Sequence, residues 1–299
     1  MRCNEGFSSH NRHGPLLRRR HVSLRAWLLR AVAGTLLLST LLAGCTTPAI
    51  RPETLAGPAH LQRTQIAAGD FVLTAFYRLP HPDQPLTIYI EGDGLAWRSR
   101  SEPSDDPTPR QMTGLTLAAA DPGSNVIYLA RPCQFTPMAA NPRCQVDYWT
   151  GKRFSEEVVA SMNLAVSHFA RQAPGQAIHL AGYSGGGAVA VLIAARRNDI
   201  ASLRTVAGNL DHAAVNRLHR VSHMPASLNP INYAQQVANI PQLHFSGSDD
   251  KVVPAAIARD FAVAAAGNCT RTRVVPGLTH TGDWAAQWPA LLAVTPACQ

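Results

Sequence analysis

Ser184 lies in Gly182-Tyr183-Ser184-Gly185-Gly186, a G-x-S-x-G pattern extended by Gly187. Glycine is costly in ordered structure, so a cluster of it around one hydroxyl marks backbone that bends where a Cβ would clash. By abundance alone, at about 7% per fixed residue, the pattern arises in roughly one chain in ten of this length. Its surroundings add meaning: the apolar run 177–182 (AIHLAG) leads in, and 186–197 (GGAVAVLIAARR) leads out. A tight strand-to-helix turn there pushes the serine Oγ clear of the backbone. A plain flexible turn is the alternative. Serine attacks a carbonyl only when a base takes its proton, and an acid must orient that base. Two later loops offer such groups: SDDKVVP carries Asp249 and Asp250, and LTHTGDW carries His280. Together they could perform acyl transfer through a covalent serine ester, chemistry that requires no metal and no organic cofactor.

These groups are far apart in the chain, so a scaffold must gather them. Residues 71–77 (FVLTAFY) alternate with period two, as a half-buried strand does. Residues 86–91, 125–130, 177–182, 203–208, 242–247 and 272–277 are continuous β-branched or aromatic runs. Runs of that kind suit strands buried on both faces of a parallel sheet. Helical stretches separate them. Residues 155–172 open on Ser155 as N-cap with Glu156 and Glu157 in the first turn, and 254–267 run from Pro254 to Gly267. Strand–helix alternation without internal repeats predicts one α/β domain, a doubly wound, mostly parallel sheet with helices on both faces. Two irregular segments, 92–111 and 209–237, leave from strand carboxyl ends, where ligands bind in open α/β sheets, and the second forms a small irregular cap.

With these residues in view, most of the mature region resembles the α/β-hydrolase superfamily. Its acid loop, G-x-x-D-x-x-V, is matched by Gly247, Asp250 and Val253, which favours Asp250 over Asp249. Asp211 remains an alternative, since some members draw the acid from the preceding strand. The resemblance implies Ser184 as nucleophile, His280 as base and Asp250 as acid. It implies an oxyanion hole from the backbone of Gly185 and, by position, Asp93, with Gly94 as the alternative donor. Many members carry His-Gly before that donor. This chain has Glu91-Gly92-Asp93-Gly94, which departs from the pattern and sets a carboxylate on the donor residue itself. Stretches such as YIEGDGLAW and YLARPCQF resemble a proteobacterial branch of these hydrolases that carries over no substrate.

Other polar groups read more plainly. His219 and His223 are four apart and near His212, but HRVSH lacks the Glu of a metalloprotease helix, so solvated or pocket-lining histidines are expected and no metal site. His179 and His244 fall within strands and are expected to be satisfied core residues. Trp97 and Trp149 suit either a pocket wall or packing, and Asp105-Asp106 a solvated loop.

The 299 residues carry a formal charge of +8, which invites a nucleic-acid partner. Residues 1–44 hold seven Arg and one Glu, however, leaving 20 Lys and Arg against 18 Asp and Glu in the rest. The basic balance describes a leader, and no nucleic-acid partner is expected. That leader has arginines up to Arg30 and then a 14-residue apolar run, Ala31–Gly44, short for a transmembrane helix and suited to a signal peptide. Leu42-Ala43-Gly44-Cys45 resembles the lipobox of bacterial lipoproteins, in which Cys45 would be lipidated and become the mature N-terminus. An ordinary signal with an incidental cysteine is the alternative. Thr46 follows without an Asp retention signal, which points to the outer rather than the inner membrane.

The expected organisation is a lipoprotein signal peptide over 1–44, a tether over 45–63 and a single hydrolase domain over 64–299. An exported domain permits disulfides, and the short spacings pair Cys133 with Cys144 and Cys269 with Cys298. The expected activity is a lipid-anchored envelope serine hydrolase acting on small or polar carboxylic esters. An amidase or peptidase using the same groups, or a non-catalytic envelope binding lipoprotein on this fold, are the alternatives.

Overall fold

The computed structural model describes residues 50–299. The expected leader, Cys45 and the start of the tether lie outside the described residues. Chain order is α1 (Pro52–Ala56), β1 (Gln62–Ala68), β2 (Phe71–Arg78), β3 (Leu86–Ile90), α2 (Thr113–Ala120), β4 (Val126–Leu129) and α3 (Glu156–Ala170). Then come β5 (Ile178–Tyr183), α4 (Gly185–Ala194), β6 (Ile200–Val206), α5 (His212–His219), β7 (Gln242–Gly247), α6 (Ala255–Ala265), β8 (Thr270–Val275) and α7 (Trp284–Leu292). Short 3-10 segments lie at 138–140, 146–149 and 230–237. Among the described residues, no helix is long and apolar enough to cross a membrane.

The strands form one sheet in the order β1-β2-β4-β3-β5-β6-β7-β8. β1/β2 and β2/β4 pair antiparallel, and all other neighbours pair parallel. Register brings the functional loops together. Ile90 of β3 pairs with Gly182 of β5, Tyr183 with Val206 of β6, Val206 with Phe245 of β7, and Gly247 with Val275 of β8. The carboxyl ends of five strands therefore make one row, and the chain leaves each of them on the same edge of the sheet.

Helices cover both faces because the central strands are apolar on both. One face packs α3, α4 and α6 through Phe169, Val189, Ile193 and Phe261. The other packs α2 and α7 through Leu115, Trp284 and Trp288 against Tyr89, Tyr128 and Phe245. Every residue of α4 is buried, as expected of a helix that is apolar all round. The polar atoms on the aromatic side are satisfied in series: Trp288 Nε1 donates to Tyr89 Oη at 2.9 Å, and Tyr89 donates to Asp121 at 2.7 Å.

The structure differs from the sequence reading at the edges. Order begins before residue 64, because Ala56 and Leu61 are buried and the expected tether contains α1 and the start of β1. The segment 209–237 is less irregular than expected, holding α5 and a 3-10 stretch. Gly267 does not end α6; Ala266 takes the left-handed C-cap at φ 50°. Cys133 is bonded to Cys144, and Cys269 to Cys298.

Candidate active site

Ser184 is the residue between β5 and α4, with φ 50° and ψ −119°. A non-glycine residue held there stores roughly 1–3 kcal/mol of strain, tolerated only where the surroundings over-determine the turn. They do: the Ser184 amide donates to Val206 O at 2.9 Å, and its carbonyl accepts from Gly187 and Asn209 at 3.0 and 2.9 Å. Close approach explains two of the glycines. A Cβ on Gly182 would overlap the Gly186 carbonyl, and one on Gly186 would overlap the carbonyl of Ile90 in β3.

His280, in the loop after β8, places Nε2 3.0 Å from Ser184 Oγ and Nδ1 2.9 Å from Asp250 Oδ2. Asp250 is buried in the loop after β7, and its other oxygen accepts from the amides of Val252 and Val253 at 2.9 and 2.8 Å. The two loops are stitched together, with Asp249 N donating to Leu278 O and Gly277 N to Ser248 Oγ. Asp249 itself is exposed, and its carboxylate accepts from Ser248 Oγ. Asp211 caps α5, accepting from the amides of Ala213 and Ala214 and from Asn229 Nδ2. Of the three candidate acids, the geometry brings only Asp250 to His280.

The imidazole is also held from behind. Tyr183 Oη and Trp284 Nε1 each donate to the His280 carbonyl at 3.1 Å, and the Tyr183 ring lies 5.5 Å from the imidazole. Burial pushes the Tyr183 phenol well above its ordinary range, so it stays a donor. Neither side chain figures in the sequence reading. Tyr183 is the variable position of G-x-S-x-G, where no pattern assigns a role.

Gly185 opens α4, so its amide is one of the helix N-terminal donors without an intrahelical partner. Asp93 lies beside it: a Cβ on Gly185 would overlap the Asp93 carboxylate. That carboxylate is held by two guanidinium groups, Arg131 Nη1 and Arg153 Nε, each at 3.2 Å. Both arginines also pack over Phe154, 5.2 and 5.4 Å from its ring centre. Gln134 donates to Gly92 O at 3.0 Å and accepts from Arg131 N. Arg131 and Gln134, on either side of Cys133 at the start of the Cys133–Cys144 loop, therefore clamp the loop after β3. Gly94, the alternative donor, takes φ 66°, and a Cβ there would overlap the Pro107 carbonyl.

Glu91 has a structural explanation. Its carboxylate is fully buried and accepts from the amides of Gly92 and Gly114 at 2.8 and 3.0 Å, from Leu115 N and from Tyr128 Oη. Burial raises its pKa, and these four donors oppose the shift. It ties the loop after β3 to the N-terminus of α2, where a negative charge is favoured.

Ser184 and His280 open onto a cavity of about 1030 Å³ lined from both irregular segments, by Trp97 and Arg100 on one side and Val215 and His219 on the other. His223 lines the same cavity, and the following candidates lie elsewhere. His179 pairs with Ser202, and fully buried His244 pairs with Thr205. Trp149 donates to Ser104 O, and Asp105 pairs with Arg98.

No protein-family model matches the chain, and no curated protein is similar to it in sequence. Solved structures are similar in fold. An esterase from Pyrococcus furiosus aligns at TM-score 0.57 and 12% identity, over 84% of this chain and 97% of that one. An α/β serine hydrolase without lid from Xanthomonas campestris aligns at TM-score 0.52 and 16% identity, over 80% and 97%. A membrane phospholipase A described as a bacterial virulence factor aligns at 0.52 and 16%, over 90% and 97%. With its mostly parallel eight-stranded sheet, its strand order and these neighbours, this chain has the α/β-hydrolase fold.

Proposed function

We propose that this chain is a serine hydrolase that cleaves carboxylic esters and is held at the cell envelope by lipid on Cys45. The observation that carries the catalytic half is the series Ser184 Oγ, His280 and Asp250, joined at 3.0 and 2.9 Å at the edge of an open cavity. His280 Nε2 takes the Ser184 proton as Oγ attacks the carbonyl carbon, and Asp250 stabilises the imidazolium. The amides of Gly185 and Asp93 receive the developing oxyanion, and their donors need no reorganisation because the elbow and the clamped loop hold them. His280 then returns its proton to the leaving alcohol. Water, activated by the same imidazole, releases the acid and restores Ser184.

Neighbours described as an esterase and a phospholipase favour the ester reading, and an acylaminoacyl peptidase of similar fold carries the amidase alternative. Attachment through Cys45 rests on the apolar run that ends there. The test is turnover of a series of 4-nitrophenyl esters by wild type and by Ser184→Ala. Wild type should hydrolyse short acyl esters, and Ser184→Ala should lose about 10⁴- to 10⁶-fold in kcat while remaining folded. Near-normal turnover by Ser184→Ala contradicts the mechanism, and cleavage of anilides in preference to esters would move the chain to the amidase reading.

A further inference from the structure

We propose that the ester this site accepts carries an anionic group, phosphate or carboxylate, bound by Arg153 together with Arg100, Arg110 and Arg220. This rests on the hydrolase reading above and specifies its substrate class. All four arginines line the cavity onto which Ser184 and His280 open. The carboxylates lining it are Glu91 and Asp93, and both are committed: Glu91 to four hydrogen-bond donors, Asp93 to Arg131 and Arg153. Four arginines against these two carboxylates leave the cavity lining with an excess of positive charge.

Arg153 is fixed rather than loose. Its side chain is 14% exposed, its Nε faces Asp93, and its terminal nitrogens donate to no described residue. It thus presents a bidentate fork, the geometry that recognises phosphate and carboxylate oxygens. Arg100, Arg110 and Arg220, which also line the cavity, form no ion pair among the described residues, and Arg100 donates to His219 O at 3.3 Å. Their neighbour Arg98, outside the cavity, is paired with both Glu102 and Asp105. From residue 45 onward the chain carries 20 Lys and Arg against 18 Asp and Glu, so this concentration is local. A concave lining with an excess of positive charge focuses its field on an incoming anion.

Two matched ester pairs test this on the full chain. One pair compares 4-nitrophenyl butyrate with 4-nitrophenyl hemisuccinate, which places a carboxylate on the acyl half. The other compares 1-butyryl-glycerol with its 3-phosphate, which places the anion on the alcohol half. At least one anionic member should exceed its neutral partner about tenfold or more in kcat/KM, chiefly through KM, and the ratio should shrink toward about 0.5 M salt. The triple Arg100→Gln, Arg110→Gln, Arg220→Gln variant should lower that ratio about tenfold, and lysine at the same positions should retain most of it. The pair that responds identifies the source of the anion. Ratios within about twofold in wild type overturn the proposal, as does a triple variant that loses both members of a pair in equal proportion. If no ester turns over at all, the hydrolase reading fails, and calorimetric binding of glycerol 3-phosphate and succinate decides the subsite. Binding that weakens about tenfold in the triple variant supports it, and no binding of either anion overturns it.

Discussion

At Asp250, two backbone amides and one imidazole divide a carboxylate between them: Oδ1 belongs to Val252 and Val253, Oδ2 to His280. Asp250→Asn keeps the shape but sets an amide N–H against His280 Nδ1, which forces the wrong tautomer and should cost about 10⁴-fold in kcat. Asp249→Asn, on an exposed side chain beside Ser248, should change kcat by no more than about threefold. Stopped or steady-state turnover of one activated ester ranks the two, and the reverse ranking moves the acid by one residue. Order, loop position and family resemblance made Ser184, His280 and Asp250 legible in the sequence. Glu91 was legible only as a departure, because two of the amides it accepts from belong to a helix start twenty-three and twenty-four positions away. His244 makes a second prediction. Burial lowers its pKa from 6.5 to about 3, so it is neutral in the fold while the unfolded chain protonates near 6.5. The stability it contributes is therefore fully present above pH 6.5 and is lost as pH falls toward 3, at up to about 1.4 kcal/mol per pH unit for one proton. By NMR its ring resonances should stay unmoved from pH 8 down to about pH 5. A midpoint near 6.5 contradicts the buried, neutral assignment.

The elements with the strongest patterns were the readable ones. The continuous apolar runs of β3, β4, β5 and β7 announce strands covered on both faces, and α3 announces itself by Glu156 and Glu157 in its first turn. The two edges of the sheet were harder. β1 exposes four of its first residues or half-buries them, and β8 begins with Thr270-Arg271-Thr272-Arg273, so neither shows an apolar run where it starts. Charges on such an edge discourage pairing with another chain. α7 was hidden by Pro289 inside it, and α2 by the lack of any side-chain cap at Met112. Least legible was the clamp on the loop after β3, since Arg131, Gln134 and Arg153 act through contacts between loops. Because the Cys133–Cys144 bridge closes the loop that carries Gln134 and begins two residues after Arg131, its removal is a test at this scale. Cys133→Ser with Cys144→Ser should lower unfolding stability by about 3 kcal/mol and reduce kcat beyond what lost folded protein explains. Active-site titration alongside turnover separates the two, and an unchanged kcat per active site would show that the clamp does not depend on the bridge.

For the whole molecule, location and chemistry rest on different residues. The folded domain carries a nearly balanced charge, so attachment to a membrane would depend on acyl chains at Cys45, each buried methylene adding about 0.8 kcal/mol. Cys45→Ser should block lipid labelling and cleavage, leaving a precursor in the membrane fraction, whereas a general secretory signal in place of residues 1–44 should release active, soluble enzyme. Fractionation with metabolic palmitate labelling reports both, and a Cys45→Ser protein that is cleaved and located like wild type makes that cysteine incidental. The proposed chemistry is narrower: one hydroxyl, Ser184, lies 3.0 Å from the imidazole that would activate it. A fluorophosphonate probe measures that activation without any assumption about substrate. Intact-mass and peptide analysis should find one adduct per chain, on the peptide carrying Ser184, absent in both Ser184→Ala and His280→Ala. A native protein that takes up no probe, or takes it up equally in Ser184→Ala, would contradict the account.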